Sequence, residues 1–299
     1  MTAMQNTVPR FEVWPGPMEG VGRPEFVRAV GALGLTDRWM TPFLRLSREL
    51  PAPGKLRRCG EEYFRSGLPV TLQLMSDDPL LAGAAAAKLL ELTPAVGINL
   101  NLGCPSARVV KNRAGGGLLR DPRRAAEFCR TVAAALPPGK LSVKLRAGFT
   151  DPGDMAELLP QLAESGAVSR IFFHFRTVSE LYRPLPPAER EERFARAVRL
   201  AAPVPVILNG DIADVAEAEA LIASVGGAGV MIARPWMRDP YLLRRFRGPA
   251  PDPESGRERF FAELRRQGVR DGALIEMARL LWGADAPRFR ELLSEESLS

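Results

Sequence analysis

Histidine and cysteine are scarce in this chain of 299 residues: it has one histidine, His174, and three cysteines, Cys59, Cys104 and Cys129. The cysteines are odd in number, far apart and form no Cys-x-x-Cys pair. That argues against a disulfide framework and a zinc site, so no metal is expected and a reducing cytoplasm is the simplest setting. No run of about 18 apolar residues occurs, so no membrane-spanning helix is expected. The segment MTAMQNTVPRFEV has no basic stretch followed by an apolar one, so no secretory signal is expected either. What remains is 46% hydrophobic and 25% charged residues. That composition suits one large globular domain plus something small.

Charge is unevenly spread around a net +6. Residues 105–124 carry six Lys/Arg against one acid, 38–65 seven against three, and 234–271 ten against six. Such clusters suit a polyanionic partner such as RNA. On charge alone, a solvated arginine-rich surface accounts for them equally well.

Short apolar, β-branched runs alternate with helical patterns. Strands are expected over 11–18, 39–46, 69–75, 96–103, 141–148, 169–177, 204–212 and 227–236. Helices are expected over 78–92 and 121–136, each opening on Asp-Pro, and over 214–226, which ends on glycine. Eight strands interleaved with helices predict a (β/α)₈ TIM barrel of the α/β class. The main competitor, a doubly wound sheet, usually carries a Gly-x-Gly-x-x-Gly turn after its first strand, and none is present. The Pro/Gly-rich GPAPDPESG then reads as a linker, placing the barrel in 1–247 and a small helical C-terminal domain in 248–299.

Barrel enzymes keep their chemistry at the C-terminal ends of the strands. Here those ends carry Pro17-Met18-Glu19, Gln73, Asn101 with Cys104, Lys144 and Arg146, His174 with Arg176, Asn209-Gly210-Asp211, and Ala233-Arg234. Each has a plain structural reading. His174 could be a hydrogen-bonded core histidine, Lys144 a lysine snorkelling to solvent, Asn209-Gly210 a tight turn and Cys104 a small hydrophobe. Their convergence on one rim is what points to a site. A thiol has a reference pKa of about 8.5. It can therefore donate a proton at neutral pH without a histidine beside it. The triple glycine Gly115–Gly117 reads either as simple loop plasticity or as a place where backbone N–H groups approach a ligand closely.

The stretch NLGCPSARVVKNRAGGGLLRDP resembles the signature of the tRNA-dihydrouridine synthases. PMEG, VKLRAG, HFRT and NGDI resemble that family's other motifs in the same order, and the likeness covers roughly residues 13–240. TVSELYR and MEGV are similar to the bacterial class C branch. The resemblance implies an FMN-binding barrel that reduces uridine in tRNA to 5,6-dihydrouridine, with NADPH as reductant and a cysteine protonating C5 of the ring. By motif, Cys104 is the general acid. Pro17, Met18, Glu19, Gln73, Lys144 and His174 surround the flavin ring, and Asn209, Gly210, Asp211, Ala233 and Arg234 hold its phosphate end. Asn101 and Arg176 contact the flipped-out uridine, while Arg108, Lys111 and Arg113 hold the RNA backbone. Two departures stand out: Pro42-Phe43 replaces an acidic strand end, and Phe175 stands where glycine is usual, which is expected to crowd the uridine pocket. Three alternatives stay open: a flavin reductase of a small pyrimidine or activated alkene, action on rRNA, and a non-catalytic RNA-binding paralogue. A monomer is expected, although no motif encodes oligomeric state.

Overall fold

A computed structural model of the chain describes residues 10–296, so most of the segment read for a signal lies outside the described residues. Nine strands form the sheet: β1 (Glu12–Pro15), β2 (Trp39–Met40), β3 (Leu44–Arg45), β4 (Val70–Met75), β5 (Gly97–Leu102), β6 (Leu141–Arg146), β7 (Ile171–His174), β8 (Val206–Asn209) and β9 (Gly229–Ile232). Every pairing is parallel, in the order β1-β9-β8-β7-β6-β5-β4-β2, with β3 also on β4. β1 and β2 lie side by side, so the sheet nearly closes into the expected barrel.

The second expected strand, 39–46, is split. Met40 pairs with Thr71 but Leu44 pairs with Leu74, so three residues of one strand face two of the other. This is a β-bulge at Thr41-Pro42-Phe43, and Pro42 has no N–H for the ladder. The Thr41 hydroxyl accepts the Gln73 N–H at 3.1 Å across the gap. The eighth expected strand is cut short at Ile232, where Arg234–Arg238 turns into a short helix.

Helices α1 (Pro24–Ala32), α2 (Pro53–Phe64), α3 (Pro79–Leu92), α4 (Ala107–Lys111), α5 (Pro122–Ala134), α6 (Met155–Glu164), α7 (Pro187–Ala201), α8 (Val215–Val225), α9 (Arg234–Arg238) and α10 (Leu242–Arg245) accompany the barrel. The Asp78 carboxylate accepts the Leu80 and Leu81 N–H groups at 2.9 and 3.1 Å, and Asp121 accepts Arg124 N–H at 3.0 Å. These are N-caps ahead of a first-turn proline. Gly226 ends α8 at φ 76°, a left-handed conformation that glycine adopts without cost. Among the described residues no helix is long and apolar enough to cross a membrane.

Strand alternation produces two cores. Ile171 and Phe173 face outward to the helices, where Phe194 of α7 packs, whereas Phe172 faces inward. Inside the barrel, Trp14, Met40, Phe172, Ile207 and Met231 form a separate apolar plug. Below it Glu12 pairs with Arg38 and Arg170 at 2.9 and 2.6 Å, and both guanidiniums lie over the Trp14 ring. The C-terminal helices α11 (Pro253–Arg266), α12 (Asp271–Trp282) and α13 (Pro287–Glu296) pack on the barrel wall. Phe260 meets Phe26 of α1 edge-on at 5.2 Å, and the outer core continues into Leu264, Met277 and Leu281.

Candidate active site

On two of the strands the inward face turns polar two residues beyond the plug, toward the C-terminal end: His174 follows Phe172 and Asn209 follows Ile207. This stacks a polar layer on the plug. Gln73 Nε2 donates to Asn99 Oδ1 at 2.9 Å, Asn99 Nδ2 to Ser142 Oγ at 2.9 Å, and Asn101 Nδ2 to Gln73 Oε1 at 3.0 Å. The same Asn101 accepts the backbone N–H groups of Gly103 and Cys104 at 3.1 and 3.0 Å. Asn101 therefore steers the cysteine loop with its oxygen and anchors itself with its nitrogen.

Above this layer opens a cavity of about 650 Å³, within the usual range for small-molecule sites of about 300–1,000 Å³. Pro17, Met18, Glu19, Gln73, Asn101, Cys104, Lys144, His174, Asn209, Gly210, Asp211, Ala233 and Arg234 all line it. Two of them are bases, His174 buried and Lys144 half-buried. Burial, then the neighbouring Arg146 charge, lower the Lys144 pKa to about 7, with Cys104 pulling the other way. Its ammonium makes no hydrogen bond or ion pair among the described residues. His174 is pushed well below its usual range, first by burial and then by Arg146 and Lys144. Its Nδ1 accepts the Arg176 N–H at 3.2 Å, so the neutral ring carries its proton on Nε2.

Four sequence-derived residues lie outside the cavity lining. Arg108, Lys111 and Arg113 are exposed on α4 and the turn after it, and their side chains make no ion pair or hydrogen bond among the described residues. Arg176 is only 1% exposed. It pairs with Asp211 Oδ2, while Arg234 reaches Asp211 Oδ1 at 3.2 Å. Asp211 thus gathers two arginines, one inside and one at the mouth.

Two expectations are corrected. Phe175 does not enter the pocket: it is 1% exposed, stacked on His174 at 5.3 Å and edge-on to Phe194. A side chain at Gly210 (φ 118°) would strike its ring at 2.6 Å. Nor does the triple glycine face a ligand. Gly115–Gly117 are buried behind the cysteine, and a Cβ on Gly116 would meet the Cys104 carbonyl and Val178 at 2.8 Å. Sequence reasoning missed Phe43, Tyr182 and Arg238, which also line the mouth. The Tyr182 ring lies between Arg146 and Arg234, at 5.4 and 5.0 Å from their guanidiniums.

A family model for dihydrouridine synthase (Dus) matches residues 15–263 of this chain. The chain belongs to the dihydrouridine synthase family. Members of this family are flavin-dependent oxidoreductases, so the protein is an enzyme of that kind. Among curated relatives, the tRNA-dihydrouridine(16) synthase of Cupriavidus necator is 38% identical over 240 residues, 78% of this chain and 72% of the relative. That of Ralstonia nicotianae is 36% identical over 240 residues, 78% of this chain and 71% of the relative. Among solved structures, a variant of NCR from Zymomonas mobilis is 14% identical with a TM-score of 0.54, covering 82% of this chain and 91% of that one. TcOYE with pHBA is 10% identical with a TM-score of 0.55, covering 84% and 94%. At these identities the two structures speak for the barrel alone.

The family's flavin suits the residues present. The Lys144 ammonium, without a partner among the described residues, would suit an electron-rich ring edge, which would also restore its charge. Gly210 and Asp211, at φ 118° and 48°, turn the backbone beside the exposed Arg234, whose guanidinium would suit a phosphate.

Proposed function

We propose that this protein reduces uridine in tRNA to 5,6-dihydrouridine, using FMN as its flavin and NADPH as reductant. The reading rests chiefly on the Lys144 ammonium, left without a hydrogen-bond or ion-pair partner among the described residues in a cavity that also presents Cys104. When bound, the flavin supplies the hydride that adds to C6 of the uracil ring. Pro17, Met18 and Glu19 pack on the flavin, Gln73 and the His174 Nε2–H face its ring system, and Asn209, Gly210, Asp211, Ala233 and Arg234 hold the phosphate end. Cys104 gives its thiol proton to C5, so the C5–C6 double bond becomes single. The thiolate left behind takes a proton from water. Asn101 fixes the cysteine loop and borders the uracil. Arg176 acts on that space from behind, through Asp211.

A buried flavin reaches a uridine only if the base leaves its stack. The side chains of Arg108, Lys111 and Arg113, unpaired among the described residues, are free to hold the flanking phosphates, with α11, α12 and α13 forming the other bank of the RNA groove. Replacing all three with alanine is expected to weaken tRNA binding and flatten its log–log salt dependence by about 0.7–0.9 for each phosphate no longer neutralised. Filter binding at several salt concentrations measures this, and an unchanged slope would place the RNA elsewhere. The names of the relatives suggest position 16 as the target. In cells lacking the gene, tRNA should lose dihydrouridine at that position and regain it on complementation. Unchanged dihydrouridine at every tRNA and rRNA site would refute the reading.

A further inference from the structure

Two loops overhang the cavity: residues 103–114, which carry Cys104, and residues 175–186, which carry Tyr182. Between them stands Arg146, the last residue of β6, only 4% exposed. Its Nε donates to the Gly103 carbonyl at 3.0 Å, on the cysteine loop. Its Nη1 donates to the carbonyls of Thr177 at 2.9 Å and Leu181 at 2.7 Å, on the tyrosine loop. One buried guanidinium therefore grips three main-chain oxygens on two segments that share no strand pairing.

The tyrosine loop is itself fastened on its far side. Arg193 of α7 donates to the Phe175 carbonyl at 3.0 Å and to both oxygens of Glu180 at 2.8 and 3.0 Å. Glu180 in turn accepts the Thr177 N–H at 2.7 Å. The Arg190 side chain of the same helix reaches the Asp211 carbonyl at 2.7 Å. A chain of charged groups thus runs from the α7 wall through the tyrosine loop to the carbonyl beside Cys104.

We infer that Arg146 is a positioning residue: a strut that transfers the fixed position of the tyrosine loop to the cysteine loop and so sets where the Cys104 thiol stands over the cavity. Asn101 and Gly116 hold the cysteine loop from below, through the Cys104 N–H and carbonyl. Among the described side chains, Arg146 is the one that hydrogen-bonds to both the cysteine loop and the tyrosine loop. The task needs the planar, multiply donating fork of arginine, because a lysine ammonium is a single point that cannot reach three carbonyls in different directions. The inference rests on the proposed role of Cys104 for its catalytic meaning, but the strut itself does not depend on RNA.

The test uses the flavin-loaded full-length protein and the charge-conserving Arg146→Lys variant. Hydrogen exchange without RNA should show the Gly103 and Cys104 amides and those of residues 177–182 losing protection together, while the strands keep theirs. In single turnover with dihydrouridine-free tRNA, reduction of uridine should fall on the order of 10- to 100-fold, the scale of a misplaced reacting group. Reduction of the flavin by NADPH should persist. Unchanged exchange in either loop would overturn the strut, as would a loosened cysteine loop with unaltered uridine reduction. If Arg146→Lys fails to fold, Glu180→Gln leaves the strut in place and loosens only its far anchor. Protection should then fall at Gly103 and Cys104 as well as at 177–182, and loosening confined to 177–182 would overturn the proposal. Wild-type protein inactive on tRNA would defeat the functional reading and leave the exchange result standing, so the two failures are distinct.

Discussion

Cys104→Ala retains its flavin, and NADPH still reduces that flavin, yet uridine reduction is expected to fall about 10²- to 10⁴-fold, the usual contribution of a general acid. The expectation follows from what surrounds the residue. The cysteine loop owes its shape to bonds that the thiol does not make: Asn101 to the Gly103 and Cys104 N–H groups, Arg146 to the Gly103 carbonyl, and Gly116 N–H to the Cys104 carbonyl. Removing the sulfur leaves all of them in place. The only imidazole in the chain, His174, is neutral, on another strand, and spends its Nδ1 on the Arg176 N–H. The chain therefore has no histidine arranged to replace the missing proton donor. Flavin absorbance during anaerobic NADPH addition, followed by a chase with tRNA, separates the two half-reactions. If the alanine variant cannot hold flavin, Cys104 is a structural residue and its assignment fails.

Lys144→Met is expected to separate stability from cofactor handling. In the folded flavin-free protein Lys144 titrates near pH 7, whereas in the unfolded chain its value is 10.5. Between these limits the unfolded chain binds a proton that the folded one does not, so stability rises with pH across that window. Below about pH 7 both states are charged and the full cost of burying the ammonium is present. The contribution cannot exceed about 1.4 kcal/mol per pH unit. Flavin-free Lys144→Met should lack this slope and be the more stable protein at neutral pH and below, while retaining flavin less well. Denaturant midpoints of the two proteins from about pH 6 to 10 measure the difference, and parallel curves would show that the Lys144 ammonium stays in water. Bound flavin should also remove the slope from the wild type by giving the ammonium its partner.

Much of this site was readable because strands obey a two-residue period. His174, Asn209, Lys144 and Gln73 sit where alternation and strand-end position put them. Legibility ended where the ladder ended. Arg176 follows the last paired residue of β7, so alternation no longer governs it, and it turns down onto Asp211 instead of into the cavity. Phe175 carries no warning in sequence that its ring lies behind His174 and that Gly210 exists partly to make room for it. The glycines at 115–117 announced a need for small residues, but the need is close packing against the Cys104 loop. Tyr182 lies in a segment without periodicity whose path depends on arginines from β6, α7 and the turn after β7, and no local pattern records such distant anchors.

The bottom of the barrel has a consequence for traffic. Glu12, Arg38 and Arg170 lock across the Trp14 ring, and the apolar plug sits directly above them. A vessel with a sealed base has to be filled and emptied through its lip. On the proposed function, reductant, water and the uracil to be reduced would therefore all reach Lys144 from the side of the cavity away from that base, whose lining includes Tyr182 and Phe43, and would have to queue for it.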